Sequence, residues 1–480
     1  MNFSIVKYII GYVLAFEAAF MVLPCIVAVI YQESEGWSFV ITAAVCLLLG
    51  FLLLRKKPEN RVFYVKEGFV TVALSWIVLS VMGSVPFLIT GSMTNPVDAL
   101  FETVSGFTTT GASILADVEA LSRSVLFWRS FTHWIGGMGV LVFLLSLLHV
   151  KGGGSHINLM RAESPGPSVS KLVPTVQSTA KILYIIYIVM TLLEIGFLLL
   201  GKMPLFDALT ISFGTAGTGG FGIKNDSMAG YSVYLQVIVT IFMILFGVNF
   251  SAYFLLLRRK FKQAFSMEEV RYYFLIIFVS IAVISISIRD MYGSYGEAVR
   301  QAAFQVGSIM TTTGYASTDF NLWPEVPQTI LVLLMFVGAC AGSTGGGIKV
   351  LRLVILMKTI KKELHTLLHP RSLRKLKMDG HALEHETLRA TNVFLIAYVL
   401  IFSFSVLLVG FDGQDLVTNF TAVASALNNI GPGLSLVGPV ENFGLFSNGA
   451  KLVLIFDMLA GRLEIFPLLL LFVRDTWKKF

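Results

Sequence analysis

Pro96-Val-Asp-Ala-Leu-Phe-Glu-Thr-Val-Ser-Gly-Phe107, followed at once by Thr108-Thr-Thr-Gly-Ala112, sits between two apolar blocks. At roughly a dozen residues it is too short and too polar to cross a bilayer, which takes about 20 apolar residues per helix. The same arrangement returns three times. Pro204-Leu-Phe-Asp-Ala-Leu-Thr-Ile-Ser-Phe213 precedes Ala216-Gly-Thr-Gly-Gly220, and Tyr295-Gly-Glu-Ala-Val-Arg-Gln-Ala-Ala-Phe304 precedes Thr311-Thr-Thr-Gly-Tyr315. Asp415-Leu-Val-Thr-Asn-Phe-Thr-Ala-Val-Ala424 precedes Asn428-Asn-Ile-Gly-Pro432. An internal repeat of this kind decides the fold before any single motif does.

Each copy opens near an acid (Asp98, Asp207, Glu297, Asp415), which suits the positive end of a short helix. Each closes on a glycine segment, with Gly111, Gly219, Gly314 and Gly431 aligned. Extended backbone at membrane depth is tolerated only where it is buried in protein or lines a watery path. Carbonyls of such a strand can replace the water shell of a cation, and glycine permits the backbone angles this needs. The negative C-terminal end of each short helix, aimed at the same cavity, favours a cation there. A single Thr-Thr-Gly could equally be an interhelical turn. Four copies in register, each after a short helix and before a long one, argue for a ring. The expected cation site is therefore Thr109, Thr110, Gly111, Thr218, Gly219, Gly220, Thr312, Thr313, Gly314, Asn429, Ile430 and Gly431.

The composition agrees. The 480 residues are 55% hydrophobic and only 14% charged, against about 25% charged in soluble domains. Apolar blocks lie at 8–30, 39–54, 68–90, 182–200, 234–257, 272–288, 328–342, 392–410 and 451–474. The first is too long for a signal core and lacks a small-x-small cleavage site. Cys25, Cys46 and Cys340 lie in apolar blocks as packing residues. The net charge of +7 follows the membrane, with Lys and Arg at 55–61, 161–181, 258–262, 349–389 and the C-terminus. Basic loops stay cytoplasmic, which places both termini inside and gives ten crossings: two before Arg55, then two in each of four units. The expected fold is an all-α polytopic membrane protein, four pseudo-symmetric helix–pore-loop–helix units around one pore, preceded by two extra transmembrane helices. The divisions are 1–62 for the extension, 63–150 for unit 1, 151–262 for unit 2 with its preceding loop, 263–362 for unit 3, and 363–480 for a cytoplasmic loop with unit 4.

On Ser105-Gly-Phe-Thr-Thr-Thr-Gly-Ala112, Gly217-Thr-Gly-Gly-Phe221, Thr311-Thr-Thr-Gly-Tyr315, Ala341-Gly-Ser-Thr-Gly-Gly-Gly-Ile-Lys-Val350 and Gly461-Arg-Leu-Glu-Ile-Phe466, the chain resembles the Trk/Ktr/HKT superfamily of potassium transport proteins. It is most similar to the TrkH branch, which also carries two helices before the first unit. The resemblance covers essentially the whole chain. It implies potassium as the transported ion, a homodimer with one pore per subunit, and a cytoplasmic ring of nucleotide-binding, RCK-type, TrkA-like regulatory subunits. It also implies the cell membrane of a prokaryote. Glycine at every ring position resembles potassium-selective members, since members with serine in the first unit tend to admit sodium. Unit 4 departs from the pattern, with Asn428-Asn429-Ile430 in place of the threonine run.

Two further features bear on an ion path. Gly345, Gly346 and Gly347 interrupt an apolar stretch at about 1 kcal/mol of helix stability each. They read either as a packing kink or as a flexible loop beneath the ring that gates it, with Ser343 and Thr344 satisfying freed backbone. Arg462 lies within the last apolar block, near Asp457 and Glu464. A charge at that depth faces a cavity or a partner, so Arg462 is either paired for structure or a pore-side charge opposing a cation. Lys349 and Arg352 read as cytoplasmic-end anchors and His133 as a hydrogen-bonded interior histidine. His365, His369, His381 and His385 read as a solvated surface; their basic loop is a candidate docking face for a cytoplasmic partner.

Gly152-Gly-Gly-Ser155 reads as a linker and lacks the lysine of a phosphate-binding loop. No enzyme signature, organic cofactor or nucleic-acid partner is expected; membrane lipids are. The function expected is channel-like, selective potassium uptake through a filter of backbone carbonyls. The alternative is a sodium- or proton-coupled potassium symporter. A solute transporter of inverted repeats is disfavoured because the four repeats share one direction.

Overall fold

The computed structural model describes residues 1–58, 64–139, 176–371 and 375–478. The Gly152–Ser155 linker, most of the basic cluster at 161–181, and Lys479 lie outside the described residues. The described residues are mostly helical and include one two-residue antiparallel pairing, of Lys377–Met378 with His381–Ala382. Four helix–short helix–helix units follow two N-terminal helical segments, Phe3–Tyr31 and Gly36–Leu54. The two N-terminal helices approach closely where Gly11 and Gly50 face each other. A Cβ on Gly50 would stand 3.0 Å from the Gly11 carbonyl oxygen, a contact that small residues allow between membrane helices.

The pore helices are Pro96–Phe107, Leu205–Gly217, Tyr295–Met310 and Leu416–Asn428. Their N-terminal N–H groups are capped by Asn95 in unit 1, Ser294 in unit 3 and Asp415 in unit 4. Asp98, Asp207 and Glu297 fall in the first turns. Units 1 and 4 share one hydrophobic core with the N-terminal helices, while unit 3 builds its own around Tyr273, Ile309 and Met335.

The ten expected crossings are not ten equal helices. Among the described residues, six are long and apolar enough to span a membrane alone: Phe3–Tyr31, Gly36–Leu54, Val65–Ile89, Ser178–Leu200, Glu268–Ser287 and His385–Asp412. These are the two N-terminal segments and the first helix of each unit. The second helices of units 2, 3 and 4 break close to the pore-helix ends. The block at 234–257 is two helices, Val233–Phe246 and Phe250–Leu257, bent by 92° at Gly247–Asn249. The block at 328–342 is helical only over Glu325–Val337, and the chain then runs irregularly until Val350–Leu368 begins. The block at 451–474 ends its long helix at Arg462, because Glu464 and Ile465 take left-handed backbone at φ 52 and 72°. Apolar periodicity could not reveal these breaks, because their freed backbone groups are satisfied by neighbouring units. The divisions placed at 262–263 and 362–363 fall inside helices Phe261–Ser266 and Val350–Leu368.

Close backbone approach holds the units together. A Cβ on Gly136, in the second helix of unit 1, would lie 1.9 Å from the Phe107 carbonyl oxygen at the end of the pore helix. Gly196 lies on a helix face where a Cβ would meet nothing within 4 Å. Overpacking costs about 1–3 kcal/mol, whereas alanine in an open helical site gains about 0.5–1 kcal/mol over glycine. In thermal unfolding of detergent-solubilised protein, Gly136→Ala is expected to lower Tm and Gly196→Ala to hold or raise it.

Candidate functional site: a glycine ring and the loop beneath it

Each pore helix ends in the same hydrogen-bonded turn, in which two successive N–H groups reach back to free carbonyls of the last turn. In unit 1, Thr109 N–H donates to Gly106 O (3.1 Å) and Thr110 N–H to Ser105 O (2.9 Å). In unit 2, Thr218 donates to Thr215 and Gly219 to Gly214, and in unit 3, Thr312 donates to Ile309 and Thr313 to Ser308. In unit 4, Asn429 donates to Ala426 and Ile430 to Ser425. The turn needs one left-handed residue, and Thr109, Thr218, Thr312 and Asn429 supply it at φ 56, 55, 59 and 56°. Left-handed backbone is strained for β-branched threonine, at about 1–3 kcal/mol each, and tolerated by asparagine. The unit 4 departure therefore falls at a position where asparagine is the more comfortable residue.

Two residues on, Gly111, Gly220, Gly314 and Gly431 have φ 80, 73, 84 and 106°. This corrects the register of unit 2: Gly220, not Gly219, is equivalent to the other three glycines, and Gly219 aligns with Thr110, Thr313 and Ile430. The four segments close on one another. A Cβ on Gly111 would lie 1.9 Å from Gly219 O, on Gly220 1.9 Å from Thr313 O, and on Gly314 2.0 Å from Ile430 O. On Gly431 it would lie 3.0 Å from Thr110 O, which completes the circuit. All four glycines open into a single cavity. Side chains brace the ring from behind. Thr108 and Thr110 hydroxyls pair at 2.8 Å, as do those of Thr311 and Thr313 at 2.7 Å, and the Asn429 amide donates to Thr110 Oγ1 and Met458 O.

Three supporting residues were not singled out as site residues in the sequence. Glu102 and Arg129, both fully buried, pair at 2.7 Å. Glu102 also accepts from Ser113 Oγ and Ile114 N–H, while Arg129 donates to Gly222 O and stacks 4.1 Å over Phe221. One ion pair thus holds the strands that leave the ring in units 1 and 2. His133 bridges the same two units: its Nδ1 bonds Gly106 O at 2.8 Å, and its Nε2 accepts from Phe221 N–H. The signal for the pair is present in the sequence, since a charge within a membrane segment marks a cavity or a partner; it points to Arg129 as much as to Arg462.

Beneath the ring lies the irregular stretch 338–349. Gly346 N–H donates to Thr312 Oγ1 at 2.7 Å, and a Cβ on Gly346 would stand 2.4 Å from Asn428 O. A Cβ on Gly345 would stand 2.8 Å from Thr311 O. The stretch is therefore pressed against the undersides of units 3 and 4. Ser343 and Thr344 do satisfy freed backbone, with Ser343 Oγ bonding Cys340 O and Gly345 N–H, and Thr344 Oγ1 bonding Phe246 O. Arg462 donates to Thr344 O at 2.9 Å and to the carbonyls of Gly136 and Gly137 at the end of the unit 1 helix.

The two acids near Arg462 in sequence have partners elsewhere: Asp457 accepts from Ser405, and Glu464 pairs with Arg352. Lys349 and Arg352 are not simple end anchors. Lys349 bonds Gly345 O within the loop, and Arg352 bonds Ile348 O as well as Glu464.

The pore-helix acids also have partners. Asp98 pairs with Lys451 of unit 4 at 2.7 Å, Asp207 accepts from Tyr231, and Glu297 pairs with Arg300. Beside the cavity that the ring glycines line, the Asn225 amide next to Asp117 holds that carboxyl below its usual range. The His365 and His369 rings lie 4.8 Å apart, tilted by 52°, and among the described residues no group of three or more His, Cys, Asp or Glu could hold a metal.

A family model described as "TrkH: Cation transport protein" matches residues 35–479. The chain is 37% identical over 490 residues to "Trk system potassium uptake protein TrkH" of Salmonella typhimurium, with all of both chains covered. It is 33% identical over 485 residues to "Trk system potassium uptake protein TrkG" of Escherichia coli, covering 99% of this chain and 98% of that protein. The crystal structure of the potassium transporter TrkH from Vibrio parahaemolyticus superposes with a TM-score of 0.88 at 34% identity over the whole of both chains.

Removing one partner of a buried ion pair strands the other, at about 3–5 kcal/mol. Glu102→Gln is expected to lower Tm markedly, and the double variant Glu102→Leu/Arg129→Met to lower it less than Glu102→Gln alone. Equal melting of Glu102→Gln and wild type would remove the pair from the ring's support.

Proposed function

We propose that this chain, which belongs to the TrkH family of cation transport proteins, takes up potassium by channel-like conduction through the glycine ring. The observation that carries the proposal is the closed circuit of glycine-to-carbonyl approaches across all four units. Carbonyl oxygens held at close quarters replace an ion's hydration shell, and their spacing and field select the ion. The pore helices contribute the negative ends of their dipoles at the same place. Thr109, Thr110, Gly111, Thr218, Gly219, Gly220, Thr312, Thr313, Gly314, Asn429, Ile430 and Gly431 form the filter, with potassium as the cargo.

The loop containing Gly345, Gly346 and Gly347 is the gate, and Arg462 is its bolt. A cation passing about 4 Å from that guanidinium meets roughly 4 kcal/mol of repulsion at an effective dielectric near 20. More directly, Arg462 ties Thr344 O to the unit 1 helix end, so the loop stays across the path. Two chains form a homodimer, and a cytoplasmic nucleotide-binding ring of the RCK type opens the gate. Both termini face the cytoplasm of a prokaryotic cell whose plasma membrane the chain crosses.

A coupled potassium symporter would use the same ring, so flux decides between the two. In liposomes with a potassium gradient, conduction is expected to proceed without sodium or a proton gradient; strict dependence on either would establish coupling. In the same assay Gly111→Ser and Gly220→Ser are expected to raise sodium permeability relative to potassium. Unchanged bi-ionic ratios in both would take these glycines out of the filter. Arg462→Ala, and separately deletion of Gly345–Gly347, is expected to raise potassium flux in the absence of any partner, with the potassium-to-sodium ratio near wild type. Flux at or below wild type in both, with normal assembly, would return the loop to a packing role.

A further inference from the structure

We propose that Glu269 is the positioning residue that latches the gate loop closed, through a carboxylate shared between Ala341 N–H and the Asn249 side chain. The inference rests on the loop being the gate.

Glu269 stands in the first turn of Glu268–Ser287 and is 3% exposed. A buried carboxylate at membrane depth needs donors, and this one has them from two other elements. Its Oε1 accepts from Ala341 N–H in the loop, and its Oε2 accepts from Asn249 Nδ2 at 3.2 Å. Asn249 is the residue at which the second helix of unit 2 bends by 92°. Its other amide atom, Oδ1, caps the following helix by accepting from Ser251 N–H at 2.9 Å.

Backbone bonds join the same two breaks. Cys340 N–H donates to Gly247 O, and Phe250 N–H donates to Gly342 O, both at 3.0 Å. Residues 340–342 of the loop are therefore stitched to the bend at 247–250, and Glu269 closes the stitch. Arg462 holds the loop at Thr344, a little further along the chain. Among the loop's ties two are charged, one to unit 1 through the Arg462 cation and one to unit 2 through the Glu269 anion. Releasing either loosens a glycine-rich backbone that is free to take other conformations at little cost.

The arrangement has a polarity that can be reversed. Glu269→Gln keeps the bond from Ala341 but presents an N–H to Asn249 Nδ2, a donor to a donor. Asn249→Asp still caps the helix but presents an oxygen to the Glu269 carboxylate, an acceptor to an acceptor. The two changes together restore both bonds, with the introduced amide donating to the introduced carboxylate.

The test compares potassium flux into liposomes for full-length wild type, Glu269→Gln, Asn249→Asp, the double variant, and Arg462→Ala, all without a cytoplasmic partner. Each single change is expected to raise flux threefold or more at an unchanged potassium-to-sodium ratio, and the double variant to return within twofold of wild type. Damage to the fold would lower flux and would not be reversed by a second substitution. Single variants at or below wild-type flux, with normal yield and Tm, would overturn the latch if Arg462→Ala still raises flux. So would a double variant as leaky as either single one. If Arg462→Ala is also silent, the gate reading itself fails and the latch falls with it.

Discussion

Everything in this molecule answers to one steric demand: four different backbone segments must come within contact of each other's carbonyls. At Gly111, Gly220 and Gly314 a single Cβ would sit 1.9–2.0 Å from the neighbouring unit's oxygen. A Cβ at these positions forces the surrounding backbone to move, and because each segment carries left-handed residues, the segments cannot pair with one another as sheet strands would. Their hydrogen bonds go backwards into the pore helices or sideways into the second helices. Those helices must therefore be placed before the ring can exist. The caps, the buried Glu102–Arg129 pair and the bridging His133 all serve that placement.

The ring and the loop below it are physically one body. Thr312 is held in left-handed backbone and also accepts the Gly346 N–H, so the same strained residue belongs to both. Strain of this sort persists only where the surroundings over-determine it. Here the surroundings include the loop.

Buried charges fall at junctions between units. Glu102–Arg129 joins the strands of units 1 and 2, Asp98–Lys451 joins units 1 and 4, and Arg352–Glu464 joins the helix after the loop to the end of unit 4. Desolvation cancels much of the Coulomb gain of such pairs, so their contribution to net stability is small. What they supply is geometry: each charge has one partner position, and a unit rotated out of place would strand it. For four segments that share a shape but not a sequence, that is a way of specifying which unit sits beside which.

The fourfold repeat, the membrane class and the glycine segments were legible in the residues alone, because a short amphipathic stretch between long apolar ones has few physical solutions. Arg462 was legible as a charge at depth, but its partners were not. The sequence offered Asp457 and Glu464, while the fold bonds it to carbonyls of Thr344, Gly136 and Gly137. Unit 2 shows the limit most clearly. Adjacent glycines at 219 and 220 left its register ambiguous by one position, and only left-handed backbone at Thr218 assigns Gly220 to the ring. The break at 247–249 was hidden in a continuous apolar run. Local sequence determines how long a segment can stay in a bilayer and where its backbone is free to turn. Where a helix stops, and which carbonyl a buried cation meets, depends on hydrogen bonds to residues far away in the chain, and these exist only once the four units have closed.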